Sequence, residues 1–235
     1  MGNKRLIAGI IIVVILIIGL VVTSYSYNQF SEEQLEILTK ESNTILQMDM
    51  ITDEINTEIK TQQSYAIVEK EIKEYIVELK NIYNEVKKLS EEIDPDTIFT
   101  AENVNIENKT FDKVDDYIQE NRQKAKEYLD EYNKMIEEDT IMESINKKEI
   151  QFRKAYFVNL YETVMLGDVM EKQFEFLQKE IESQKDELYT KLNIVSQIKQ
   201  YLEDNQKYWT IKDNKIELNT NIMTQYYNLV NEIIS

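Results

Sequence analysis

Cysteine and histidine are absent from the 235 residues, proline occurs once, as Pro95, and glycine only four times, as Gly2, Gly9, Gly19 and Gly167. Without a thiol or an imidazole there is no disulfide framework, no Cys or His zinc site and no haem held through His. Triads built on a Cys nucleophile or a His base are excluded as well. The scattered glycines cannot write GxGxxG, or GxxxxGK followed by Ser or Thr, which removes those phosphate-cradling loops. Cations are scarce too: 27 Lys and Arg face 44 Asp and Glu, for a net charge of −17 and a pI near 4.5. Nucleic-acid binding starts from a basic surface that neutralises phosphates, so that class is excluded. What is present, 42% hydrophobic residues, suffices for the core of one large domain or two small ones.

Residues 6–22 form an unbroken apolar run, about 26 Å of helix at ~1.5 Å per residue, close to the thickness of a bilayer core once Thr23 and flanking anchors are added. Tyr25 and Tyr27 supply an aromatic belt behind it, while Lys4 and Arg5 precede it and the next cation is Lys40. The positive-inside rule then puts residues 1–5 in the cytoplasm, a single transmembrane anchor at 6–23, and an extracytoplasmic domain at 24–235. Secretion after signal cleavage is the competing reading, with Ser24 and Ser26 as small residues near a cleavage point. The run exceeds the usual apolar region of a signal, and bulky Tyr25 and Tyr27 crowd that point. A lipid-modified cysteine anchor is impossible. The outer part carries all the acidic residues and is expected to repel anionic surfaces.

The outer part reads as all-α: an elongated antiparallel helical bundle or coiled coil with a small C-terminal β-hairpin. Ser31 and Gln34 have capping-box spacing. From Tyr65 the positions Val68, Ile72, Tyr75, Leu79, Ile82, Val86, Leu89 and Ile93 alternate by three and four, a heptad pattern. The stretch 60–64 is polar but holds neither Gly nor Pro. The spacing therefore favours one rod over 31–93, about 95 Å at ~1.5 Å per residue, above two helices broken near Ser64. Pro95 stops it. Residues 97–109 read as a loop pinned by Ile98, Phe99, Val104 and Ile106. Further helices are expected over about 110–138, with Asp112, Asp115 and Asp116 favourable at its start, and over 140–203, capped by Asp139 or Thr140, with Gly167 its weak point. Over 208–219, Trp209 and Ile211 alternate, Asp213 and Asn214 sit where a two-residue turn belongs, and Ile216 and Leu218 alternate again. That hairpin must pack on helices to be stable, through Trp209. Asn219 or Thr220 caps a last helix at 220–234.

No catalytic, metal-binding or cofactor-binding residue is expected. Acidic clusters such as Asp94 with Asp96 lack the alternating ligands, Gly and final Glu of a calcium loop and read as helix ends. Carboxylate pairs could hydrolyse glycosides without His, yet the chain lacks the loop-rich, Trp-rich cleft of such enzymes. The most aromatic and apolar stretch outside the apolar run includes Arg153, Tyr156, Phe157, Tyr161, Met165 and Met170. It reads mainly as core, with Arg153, Tyr156, Tyr161 and Trp209 as the candidate partner or ligand surface. The tyrosines are expected in half-buried seams with wet hydroxyls. Asn108, Lys109 and Thr110 match the N-glycosylation pattern.

Two functions fit these readings. The first is a membrane-anchored structural or protein-interaction module of the cell envelope, with a protein partner or self-association through exposed heptad faces. The second is the extracytoplasmic ligand-binding component of a sensor or transport system, with a small-molecule pocket between helices near residues 156–170. Against the second, no further apolar run returns the chain to an internal output.

Overall fold

The structure, a computed structural model, describes residues 29–234. The apolar run, with Lys4, Arg5, Tyr25 and Tyr27, lies outside the described residues. Among the described residues no helix is long and apolar enough to cross a membrane. The described residues are mostly helical, 74%, with one small antiparallel hairpin near the C-terminal end. Its contacts divide into two compact units: residues 29–81 with 132–179 form unit 1, and residues 82–131 with 180–234 form unit 2.

Helix α1 spans Gln29–Gln47 and α2 spans Gln63–Glu91. Residues 48–62 between them are not helical, so the expected rod over 31–93 does not form. The break uses neither Gly nor Pro. The Asp49 carboxylate accepts from the Ile51 and Thr52 N–H groups at 2.8 and 3.1 Å, and the Asp53 carboxylate accepts from the Asp49 N–H at 2.8 Å. Side chains of this type offer the backbone a local alternative to the helix. Gln63 then takes a positive φ of 52° as α2 begins. Ser31, expected as a cap, lies inside α1. Gln34 instead accepts from the Gln62 N–H at 2.7 Å and so ties the start of α1 to the start of α2.

The heptad positions do face inward. Tyr65, Val68, Ile72, Tyr75 and Leu79 are buried in unit 1, and Ile82, Val86 and Ile93 in unit 2. The face considered for self-association is thus covered by the chain itself.

A short helix α3, Pro95–Ile98, follows. Asp94 caps it by accepting from the Asp96 N–H at 2.9 Å, and Pro95 occupies a first-turn position where no N–H is needed. In the loop beyond, Phe99, Val104 and Phe111 are buried and an isolated bridge pairs Asn105 with Thr110, whereas Ile106 is exposed and pins nothing. Helix α4, Asp112–Met135, carries Asp112 and Asp115 in its first turn, where the helix dipole favours them.

The single helix expected over 140–203 is three: α5 at Glu138–Asn146, α6 at Lys154–Met165 and α7 at Asp168–Asp204. Neither Asp139 nor Thr140 caps α5, which begins before them. The α6/α7 break falls at Gly167, where an added Cβ would stand 2.8 Å from the Thr163 carbonyl oxygen. The α5/α6 break has no such residue. There Arg153 adopts φ 51°, and the Lys154 ammonium donates to the Asn146 and Lys148 carbonyls at 2.7 and 3.3 Å, satisfying oxygens left open at the end of α5.

In unit 2, β1 (Trp209–Lys212) and β2 (Lys215–Leu218) pair antiparallel, Trp209 opposite Leu218. Asp213 and Asn214 both have positive φ, 51° and 62°, as a two-residue type I′ turn requires. The last helix, α8, spans Thr220–Ile234. The Asn219 side chain accepts from the Asn221 N–H at 3.2 Å. The hairpin is docked by Trp209, whose indole N–H donates to the Leu202 carbonyl at 2.7 Å. Its ring packs in a core with Val195, Ile198, Leu202, Ile222 and Tyr226.

Candidate functional site

The residues singled out from sequence are divided between the two units. Trp209 is buried in unit 2, with the Lys109 ammonium 3.7 Å from the ring centroid and donating to the Trp209 carbonyl at 3.0 Å. Burial lowers the pKa of that lysine, and the arrangement fastens the 99–111 loop to the hairpin. Tyr161 is fully buried in unit 1, its hydroxyl 2.8 Å from the Ser144 hydroxyl. Tyr132, equally buried, donates to the Phe174 carbonyl at 2.8 Å, and Tyr75 donates to the Met135 carbonyl. Burial pushes all three phenols above their ordinary value. These hydroxyls are internal fasteners and not the wet edges expected of them. Arg153 and Tyr156 stand together at the start of α6: Arg153 is exposed, and the Tyr156 hydroxyl is 3.4 Å from that of Tyr65. Asn108 is exposed, its N–H donating to the Asn105 side chain at 3.1 Å.

Unit 1 contains a charged cluster that residue spacing did not reveal. The Lys73 side chain is only 2% exposed and donates to Glu69 at 2.6 Å, Glu41 at 2.9 Å and the Glu58 carbonyl at 2.6 Å. Glu69 also accepts from the Lys60 and Thr61 N–H groups and from the Thr61 hydroxyl, at 2.7–3.1 Å, while Glu41 accepts from the Lys60 ammonium at 2.8 Å. For both glutamates burial raises the pKa, but the hydrogen bonds from lysine and, at Glu69, from Thr61 outweigh it, and both carboxyls end below their ordinary 4.5. A lysine between two carboxylates resembles a proton-transfer site in composition. Here the ammonium has spent all three protons on internal acceptors, which makes it a staple holding 58–61 against α1 and α2.

Among the described residues a cavity lies among α5, α6 and α7, also within unit 1. It has a volume of about 550 Å³. Buried Ile141, Met165 and Phe174 line it with Ile136 and Leu166, and four exposed glutamates, Glu138, Glu162, Glu171 and Glu175, stand around it. None of the four has an ion-pair partner among the described residues, in contrast to Glu41, Glu69 and Glu71. Among the described residues no set of three or more acidic side chains is grouped to hold a metal ion. The cleft can thus seat an apolar group flanked by spaced positive charges. Glu162 and Met165 fall in the stretch read as a pocket, while Glu138, Glu171 and Glu175 were missed. The available signal was the pairing of Glu171 with Glu175 one turn apart, opposite the acidic run 137–139.

The chain matches no family model, and comparison with curated proteins and with solved structures likewise returned no match.

Proposed function

We propose that the protein is a single-pass, membrane-anchored, extracytoplasmic helical protein that serves the cell envelope as a structural or protein-interaction module. The cleft among α5, α6 and α7 carries this reading: an apolar floor bordered by uncompensated carboxylates suits a basic segment of a protein partner, whose cations pair with the glutamates while an apolar side chain enters. The apolar run 6–22, with Lys4 and Arg5 before it and a long acidic stretch after it, supports an anchor with the helical units outside. The inward heptad positions support coiled-coil-type packing of the helices. No site of catalysis enters the reading.

Topology is tested first with the full chain. A C-terminal alkaline phosphatase fusion is expected to be active in a bacterial host, the matching fluorescent-protein fusion dark, and the chain resistant to carbonate extraction with its first 23 residues intact. An N-terminus beginning near residue 27 establishes secretion after cleavage, and a fluorescent C-terminus refutes the external placement.

A second reading, a ligand-binding component of a sensor or transport system, is favoured by the cleft volume, which falls in the range of small-molecule pockets. The ligand class that fits the same lining is an organic polycation. Stabilisation by spermidine, lost in Glu162→Gln with Glu175→Gln, separates this reading from recognition of an extended protein segment, which spermidine does not mimic.

A further inference from the structure

In a chain this acidic, one loop is basic and aromatic. Between α5 and α6 the residues 147–154 read Lys-Lys-Glu-Ile-Gln-Phe-Arg-Lys, four cations against Glu149. Ile150 is buried and fixes the loop to unit 1, whereas Phe152, two residues on, is 78% exposed, more than any other large hydrophobic side chain described. Lys147 pairs with Glu143 at 2.9 Å, but both side chains are more than half exposed, and such a pair exchanges readily for another anion. Lys154 spends its ammonium on the Asn146 and Lys148 carbonyls, which leaves its positive charge uncancelled, and Arg153 is exposed beside it. Lys148 is bound to Glu71 at 2.5 Å and belongs to the scaffold.

The position of this loop in unit 1 says what lies opposite it. Gln34 in α1 holds the Gln62 N–H at 2.7 Å. Three residues beyond Gln62, Tyr65 packs edge-on against Phe157 at 4.9 Å between ring centroids, with its hydroxyl 3.4 Å from that of Tyr156. Tyr156 and Phe157 belong to the first turn of α6, directly after Phe152 and Arg153. The beginnings of α1, α2 and α6 therefore share one end of unit 1. The apolar segment 6–23 joins the chain at that end, because only residues 24–28 separate it from Gln29, a span of about 20 Å even if fully extended. The acidic cleft draws Glu162 and Met165 from the last turn of the same α6, at its far end.

We infer that the 147–154 loop docks on the anionic surface of the bilayer that holds the anchor, Phe152 entering the interface and Lys147, Arg153 and Lys154 meeting lipid phosphates. The inference rests on the anchored reading above. It revises the expectation that the outer part is uniformly repelled by anionic lipid. Unit 1 turns this basic aromatic loop to the membrane, beside Glu32 and Glu33 exposed at the start of α1, and holds its acidic cleft away from it, so the cleft stays open to a partner.

The absence of cysteine makes the test clean. Phe152→Cys, and as control Glu175→Cys, each create a unique thiol on the full chain for an environment-sensitive fluorophore. The labelled chain is placed in nanodiscs of phosphatidylcholine alone or of an equal mixture with phosphatidylglycerol, each with and without lipids that carry a quencher near the headgroup. The expected result is a blue shift and several-fold stronger quenching at 152 than at 175 in the mixed bilayer. Quenching at 152 should fall towards the control when Lys147, Arg153 and Lys154 are replaced by Gln. A label at 152 that stays as wet as the one at 175, in a chain retained by the discs, overturns the docking while leaving the anchor intact. Equal quenching in neutral and mixed discs overturns the assignment to anionic lipid. A chain recovered free of the discs overturns the anchored reading and the docking with it.

Discussion

The two units solve the same problem with different interiors. Unit 1 encloses charge: Glu41, Glu69, Glu71 and Lys73 are all buried there, and tyrosine hydroxyls in its core are bound to backbone carbonyls or to Ser144. Unit 2 buries no charged side chain among the described residues, and its core is aliphatic and aromatic from Ile93 through Trp209 to Ile233. Hydrophobic burial is non-directional and tolerant, whereas a buried ion cluster is stable only when every member is satisfied. Unit 1 gains a fixed register for its irregular 48–62 segment and becomes sensitive to protonation. Unit 2 holds no such buried cluster, and its lowered carboxyl, Glu187, pairs with Lys191 where both are partly exposed.

The contrast is broken most severely at Lys73. Lys73→Ala leaves two buried carboxylates without their cation and should cost about 3–5 kcal/mol. Denaturant titration read by far-UV circular dichroism should show part of the helix signal lost early, while the fluorescence of Trp209, the only tryptophan and a resident of unit 2, keeps its midpoint. A shift of both signals together shows that the units unfold as one block.

Acid probes the same staple. The folded pKa values of Glu41 and Glu69 lie below their ordinary 4.5, so their contribution is complete above that pH and disappears as pH falls through the folded values. Loss of helix signal below pH 4.5 ahead of the Trp209 change is the expected sequence, and simultaneous loss contradicts it.

Unit 2 should answer more to volume than to pH. Leu192→Ala, at a fully buried position, is expected to cost about 2–5 kcal/mol by Trp209 fluorescence, with a penalty equal at neutral and mildly acidic pH. Tyr161→Phe sharpens the picture of unit 1, because Ser144 retains its bond to the Ile141 carbonyl and is not orphaned. The loss should be about 1 kcal/mol. Glu162→Gln with Glu175→Gln should alter stability least, within about 0.5 kcal/mol, since both side chains are exposed and without ion-pair partners.

Much of the helical layout was legible because it follows from apolar spacing, which backbone geometry converts directly into a buried face. The heptad positions from Tyr65 to Ile93, the I′ turn at Asp213 and Asn214, and the weak point at Gly167 belong to this class. The breaks at 48–62 and 147–153 were not legible, because the usual punctuation of Gly and Pro is missing there. Asp49 and Asp53 divert backbone donors, and Lys154 collects carbonyls, and these side chains read as ordinary helix surface until their partners are known. The candidate cleft was half legible: Met165 and Glu162 lie in a recognisable stretch, but Glu138 and Glu175 join them only through the folding of α5 and α7. Trp209 was assigned correctly as the contact that docks the hairpin, and its burial leaves it no free surface for a partner.

The hairpin turn has a further consequence, for the order in which the chain assembles. The Asn214 side chain accepts from the Ala101 N–H at 3.0 Å, across 113 residues of sequence, and Lys215 meets Asp96 at 3.0 Å. Unit 1 has all its segments once residue 179 has been synthesised, whereas the loop of unit 2 must wait for residues 209–218 to arrive. A nascent chain with residues up to about 205 clear of the ribosome therefore holds every segment of the first unit and a second whose apolar core lacks the hairpin. In that interval of synthesis the unit without buried charge is the one in need of a chaperone.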